Sequence, residues 1–371
     1  MALAGHANAR VTRPVPPTGP KPSVSVVVPC YNYGHYLAGC VASILEQPGV
    51  DVEVIVVDDA SPDGSAAVVR EVEAADPRVR AIYHERNKGH IATYTDGLSI
   101  VRGEYLLLLS ADDMLVPGAL GRATALMEAN PSVGLVYGPT IDFTDTAPPG
   151  RTVATTWTVW PGRDWLAGRC RTGRNPMMSP EAVMRTSVFE KTGGYRADLP
   201  HSSDFMMWLV AAQVSDIGYI GGADQAYYRV HKQSMSKTVN VGMVKDLVER
   251  MRAFDVALDV PDASGGLEGG NRELLALAHR ALAREALEHA IQAHVHGVSD
   301  AVSASDADTA DAFVDAALRI YPDARALREW RILQRIRGAG PGTRGASLRA
   351  RELSRDLSNR VRWRRWRRTG V

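Results

Sequence analysis

Leu106-Leu107-Leu108-Leu109, followed by Ser110-Ala111-Asp112-Asp113, constrains this chain more than any other stretch. Four consecutive leucines bounded by polar residues predict a short strand covered on both faces, as in a parallel sheet. The run then breaks into two adjacent carboxylates, with Pro117 shortly after and a helical pattern beyond it. That order places Asp112 and Asp113 at the carboxyl end of a strand, where open α/β sheets hold their ligands. Neighbouring carboxylates repel, so a divalent cation, a basic side chain or plain solvation has to compensate them. Capping of the next helix is the other reading of the pair.

The residues before this stretch repeat the same pattern. Val24-Ser25-Val26-Val27-Val28-Pro29 is a short β-branched strand ended by proline, and Cys30-Tyr31-Asn32-Tyr33-Gly34 makes a turn. Leu37, Val41, Ile44 and Leu45 recur at helical spacing. A second strand over 52–57 runs into Asp58-Asp59-Ala60-Ser61, and a helix reaches about Ala75. A third strand over 79–83 precedes Asn87-Lys88-Gly89 and another helix. Strand, helix, strand, helix with short connections predicts right-handed βαβ units and a mostly parallel sheet. No Gly-x-Gly-x-x-Gly follows the first strand and no Gly-Lys-Ser/Thr occurs, so dinucleotide and P-loop folds are excluded.

Composition sets the outer limits. The 371 residues are 45% apolar and 23% charged with net charge +1, which suits a soluble globular protein and no nucleic-acid partner. Cys30, Cys40 and Cys170 offer neither a disulfide framework nor a zinc site, as expected of a reducing cytoplasm. Residues 1–22 carry five prolines without an apolar core and read as a disordered lead-in. Ordered structure is expected over 23–240.

Within that domain, 144–175 contains Trp157, Trp160 and Trp165 among Gly and Pro residues and reads as a surface segment over a cleft. Asp204 opens an amphipathic helix through Ala212, and Tyr227-Tyr228-Arg229-Val230-His231 closes the domain. Ala, Leu, Arg and Glu then dominate, predicting a helical region over 241–340 and a basic Arg/Trp tail over 341–371. The stretch 349–368 holds nine arginines with Trp363 and Trp366. A solvated tail, a helix on anionic lipid and an acidic-polymer binder are the three readings of it.

Taken together, the motifs resemble the family 2 glycosyltransferases of the GT-A fold. They are Val-Ser-Val-Val-Val-Pro-Cys-Tyr-Asn at 24–32, Val-Ile-Val-Val-Asp-Asp-Ala-Ser at 54–61 and Asn-Lys-Gly at 87–89, then Gly-Glu-Tyr at 103–105 and Ser-Ala-Asp-Asp at 110–113. Ser-Asp-x-x-x-x-Trp at 203–208 and Arg-x-His at 229–231 complete the series. Each motif is weak alone; their order and spacing over about 24–236 are specific.

The resemblance implies an α/β GT-A fold with a helical C-terminal appendage. It also implies transfer of a sugar from a nucleotide diphosphate donor to an acceptor hydroxyl, with Mg²⁺ or Mn²⁺. Such an ion neutralises charge on the departing diphosphate and takes one or two carboxylates plus phosphate oxygens. Asp113 and His231 then stand as metal ligands, and Asp112 as a contact to ribose or to metal-bound water. Asp59 stands as the base-recognition carboxylate, accepting from an imide N–H such as that of uracil or thymine. Pro29, Tyr31, Asn32, Lys88 and Arg229 join the donor site. Asp204 is the expected general base for an inverting displacement.

Single-residue alternatives stay open. Asp204 also suits a helix cap, Lys88 a solvated surface, Tyr31 a core position and His231 a structural role. Ser110 and Ser203 stand where the family often carries acidic residues or glycine, so the acidic cluster is light. No Gln-x-x-Arg-Trp element and no apolar run of membrane-spanning length occurs, which favours addition of one sugar at a time.

The donor is expected to be a UDP- or dTDP-sugar. The acceptor is a glycan, a lipid-linked sugar or a small molecule, in bacterial cell-surface glycan synthesis. A tailoring transferase of secondary metabolism and a nucleotide-sugar-binding protein without catalysis are the alternatives. The expected location is cytoplasmic, with the 349–368 tail able to hold the chain on the inner face of the plasma membrane.

Overall fold

The computed structural model describes residues 8–17, 19–231, 234, 242–259, 270–296, 309–338 and 370. The chain divides into two units: 1–165 with 176–231 and 367–371, and 166–175 with 232–366. The basic tail expected over 349–368 lies outside the described residues.

In the first unit, the β-branched runs form β2 (Ser23–Cys30) and β3 (Asp51–Asp58), and the leucine run forms β5 (Tyr105–Leu108). With β4 (Val79–Tyr83) they make a parallel block in the order β4-β3-β2-β5. Between them run α1 (Gly34–Leu45), α2 (Ser65–Ala75) and α3 (His90–Leu98), each reaching back across the sheet as right-handed crossovers require. Leu107 and Leu109 are fully buried, as are Val26, Val54 and Val56. Truncating one such leucine to alanine costs about 2–5 kcal/mol.

Beyond β5 the sheet becomes mixed. β7 (Val133–Tyr137), β9 (Thr156–Trp160), β10 (Val183–Arg185) and β11 (Asp216–Gly221) extend it. β10 lies antiparallel between β5 and β7, and β9 antiparallel to β11. The stretch expected as a surface segment therefore contributes a strand and a helix, Gly162–Thr172, with Trp157, Trp160 and Trp165 all buried. The lead-in also departs from expectation. Arg10–Thr12 (β1) pairs antiparallel with β9, covering a sheet edge that would otherwise expose unpaired backbone groups.

A small second sheet has the order β6 (Met114–Leu115), β12 (Ala226–Arg229), β8 (Thr140–Phe143). It pins the chain just after Asp113 to the chain just before His231.

The second unit is helical, as expected: Met243–Asp259, Gly270–His296, Ala310–Ile320 and Arg328–Gly338. Leu247, Phe254, Leu282, Phe313 and Leu333 are buried in it. Arg250 is buried there too, its charge met by Asp246 and Glu285. No described helix is long and apolar enough to cross a membrane.

Candidate active site

Because β2, β3 and β5 are parallel, their carboxyl ends share one edge of the sheet. Cys30 pairs with Asp58 in register, Asp59 donates its N–H to Cys30 O at 3.0 Å, and Ala111 donates to Pro29 O at 3.3 Å. β2, β3 and β5 thus bring their polar endings together. Asn32 (φ +60°) and Ala60 (φ +57°) take left-handed backbone there, turning the chain sharply out of both strands. Asn32 N–H donates to Ser61 Oγ at 3.1 Å, tying the two turns. Tyr31 is 44% exposed and so is no core residue. Among the described residues, Asn32 Oδ1 and Asp58 Oδ1 are buried acceptors without a hydrogen-bond partner.

Asp112 and Asp113 follow β5 and are 8% and 2% exposed. Asp112 Oδ2 lies 2.9 Å from His231 Nε2, and Asp113 Oδ1 accepts the Arg229 N–H at 2.9 Å. Burial, then the charge of Asp112, pushes the Asp113 carboxyl well above the usual carboxylate range. The Arg229 guanidinium donates to Asp112 O and Thr144 O, and lies 4.3 Å from the ring centres of both Tyr36 and Phe143. Arg229, expected in the donor site, is thus spent on holding the acidic loop. His231, expected as a metal ligand, sits against Asp112 rather than Asp113.

No group of three or more His, Cys, Asp and Glu forms a metal cage among the described residues. The pair nevertheless fits Mg²⁺ or Mn²⁺. Two adjacent buried carboxylates favour a cation, and such ions take few protein ligands when phosphate supplies the rest.

Asp204 lies in the first turn of the helix Ser203–Val214, whose N-cap residue, Ser202, makes no side-chain cap bond. Its Oδ1 accepts the Phe205 N–H at 2.6 Å, and Ser179 Oγ stands 3.4 Å from Oδ2. Leu106, Leu108, Met184 and Trp208 line an apolar pocket bordered by Ser179 and Tyr195. Burial pushes the Asp204 carboxyl up to about 6, against the opposing Phe205 N–H. Ser203, in contrast, is used up in folding: its hydroxyl accepts from Arg196 N–H and donates to Leu199 O.

Two residues that the sequence motifs did not single out complete the arrangement. Tyr94, on α3, is raised first by burial and then by the charges of Asp204, Asp112 and Asp113. One phenol therefore feels all three carboxylates, although Asp204 is far from the other two along the chain. His84, just after β4, sits 2.7 Å from Asp59 Oδ1 through Nδ1 and 3.0 Å from Asp96 Oδ2 through Nε2. Asp59 Oδ1 also accepts Lys88 N–H at 2.8 Å, and Oδ2 accepts Gly89 N–H at 2.9 Å. Burial would raise the Asp59 carboxyl, but His84 and these two amides outweigh it and hold the group low. The Lys88 ammonium, expected near a phosphate, is paired with Asp96 at 2.8 Å.

Residues 25–193 match the model of glycosyl transferase family 2. The matched stretch is somewhat under half of the 371 residues, and curated glycosyltransferases are similar to it. An uncharacterized glycosyltransferase of Haemophilus influenzae is 26% identical over 226 residues, 59% of this chain and 69% of that protein. The putative teichuronic acid biosynthesis glycosyltransferase TuaG of Bacillus subtilis is 37% identical over 93 residues, 25% of this chain and 37% of that protein. The chain spans about a third of the length of the first curated relatives it matches. TarS of S. aureus, crystallised with UDP, superposes with a TM-score of 0.55 at 17% identity, over 85% of this chain and 87% of that one. That likeness shows the GT-A fold.

Proposed function

We propose that the chain moves one sugar at a time, with inversion, from a UDP- or dTDP-sugar to an acceptor hydroxyl. The observation that carries this reading is the buried Asp112-Asp113 pair, set where β5 ends at the sheet edge it shares with β2 and β3. An acidic pair together with a buried carboxylate raised to about 6 suits a site that binds a diphosphate and deprotonates an attacking hydroxyl. Asp113, with Asp112, would hold Mg²⁺ or Mn²⁺, which when bound neutralises charge on the diphosphate. His231 orients Asp112, and Arg229 fixes the loop that carries both. Asp204 takes the acceptor proton near neutral pH, where it is ionised. Tyr31 and Asn32 face the donor base, with Pro29 setting the strand end and Asp59 accepting the imide N–H.

The acceptor we propose is a bacterial cell-surface glycan or its lipid-linked precursor, in keeping with the teichuronic acid relative. Reaction at the cytoplasmic face suits it, with the arginines and tryptophans of 349–368 resting on anionic lipid. The test is product analysis on a panel of nucleotide sugars with Mn²⁺ and oligosaccharide acceptors. Release of UDP or dTDP with a glycosylated product of inverted configuration is expected. Retention of configuration, or release of no nucleotide from any donor, overturns the proposal.

A further inference from the structure

We infer that Ser179 is a positioning residue: its hydroxyl sets the Asp204 carboxylate relative to the acidic loop that follows β5. The inference rests on the reading of Asp204 as general base. Two of the hydrogen bonds that favour the ionised carboxyl come from its own helix, from the N–H groups of Phe205 and of Asp204 itself. Such bonds turn with the helix and fix nothing beyond it. Ser179 reaches the carboxyl from another element, 25 residues earlier in the chain, with Oγ 3.4 Å from Oδ2. At that distance the bond is long, as bonds to catalytic groups often are before substrate tightens the site. Among the described residues, Ser179 is the hydrogen-bond partner that Asp204 has outside its helix.

Ser179 stands on a short, rigid support. It opens the 3₁₀ turn Ser179–Glu181, where Pro180 fixes the backbone and Ala182 N–H closes back onto Ser179 O at 3.1 Å. Glu181, 2% exposed, locks the turn from inside by accepting the Met178 N–H at 3.2 Å. The chain then enters β10, wedged between β5 and β7. The turn also packs against β5, β6 and β12. These strands lead into the acidic loop, leave it and precede His231. Ser179 thus holds Asp204 from a turn that rests on the strands framing Asp112 and Asp113. A site residue carried by a packed turn keeps its geometry better than one on a loose loop.

The groups around Asp204 leave this task to Ser179. Tyr195, whose ring lies 5.0 Å from that of Tyr94, is kept neutral by burial and the Asp204 charge, which outweigh the Ser179 hydroxyl. Burial and the same charge raise Tyr94, on α3. His201, just before the helix, favours the ionised carboxyl through its charge. Removing the Ser179 hydroxyl takes a donor from the charged form of Asp204, so the carboxyl rises further and loses its tie to the turn.

Transfer by the full chain, followed against pH with a UDP-sugar that serves as donor, tests this, alongside calorimetric titration with UDP and Mn²⁺. Ser179→Ala should lower kcat by about ten-fold. It should also move the acid limb of the kcat profile up by about half to one pH unit, with UDP binding unchanged. Ser179→Thr, which keeps a hydroxyl on the same turn, should restore both rate and limb. A folded Ser179→Ala protein with the native rate and limb overturns the inference. So does a lost rate with an unmoved limb, which marks Ser179 as a structural residue only. Asp204→Asn separates this from the reading beneath it. Native transfer there removes the base itself, whereas lost transfer there beside an unaffected Ser179→Ala variant removes only the role of Ser179.

Discussion

Arg229 donates its backbone N–H to Asp113 Oδ1 at 2.9 Å while its guanidinium lies between the rings of Tyr36 and Phe143. The last strand of the domain thereby grips the loop that ends β5. Arg229 acts by holding this loop, and that separates its two expected effects. Lysine keeps the charge but lacks the flat group that stacks on two rings and donates to Asp112 O. Arg229→Lys should destabilise the fold by about 1–2 kcal/mol and weaken Mn²⁺-dependent UDP binding, while UDP binding without metal stays the same. Thermal melting and titration with and without Mn²⁺ check both.

Asp113→Ala removes the more deeply buried carboxylate of the pair. It should abolish the gain in donor affinity that Mn²⁺ brings, and transfer with it. Wild-type transfer in excess chelator would remove the metal from the proposed chemistry.

Asp204 ties activity to stability. Its carboxyl is raised to about 6, so transfer should fall on acidification through about pH 6 as the base becomes protonated. The effect on stability has the opposite sense. A carboxyl raised in the folded state favours folding when protonated, below its ordinary range, and that contribution is lost as pH rises through about 6. Asp204→Asn should therefore lose transfer by about 10²–10⁴-fold. It should also be more stable than the native chain at neutral pH, by on the order of 2–3 kcal/mol. Melting curves at pH 4 and pH 7.5 check the sign, because the gain should vanish at the lower pH.

What could be read from the sequence follows the range of the interactions involved. β2, β3, β4 and β5 announce themselves, because each is a local apolar run and each ending is a local change of chemistry. That is why Asp59, Asp112 and Asp113 could be placed at one sheet edge before any coordinates. β10 could not be placed: three residues carry little pattern, and its position between β5 and β7 depends on partners far along the chain. Thr156–Trp160 was obscured by the Gly and Pro residues around it, and β1 by the prolines that follow. Within the site, residue types were legible and their partners were not. Lys88 carries the right charge for a phosphate contact, but the fold gives its ammonium to Asp96. His84 lies outside every motif, and only the meeting of β4 with the Asn87-Lys88-Gly89 turn sets it against Asp59.

Gly34 tests how closely the nucleotide-side turn is fitted. It opens α1 just after Tyr31-Asn32-Tyr33, and its N–H donates to Ser65 Oγ at 2.8 Å. A Cβ at this position would stand 2.7 Å from Ser65 Cα, a backbone atom that cannot turn aside as a side chain can. Gly34→Ala must therefore push α1 away from the start of α2, and overpacking of this kind costs about 1–3 kcal/mol. The displacement passes directly to Asn32, whose N–H is tied to Ser61 Oγ on the Asp58-Asp59 turn. The variant should melt lower and bind UDP more weakly. Mn²⁺ should still strengthen whatever UDP binding remains, because Asp112 and Asp113 are held from the opposite side by Arg229 and His231. Loss of that strengthening in a folded Gly34→Ala protein would show that the two halves of the site are not independently supported.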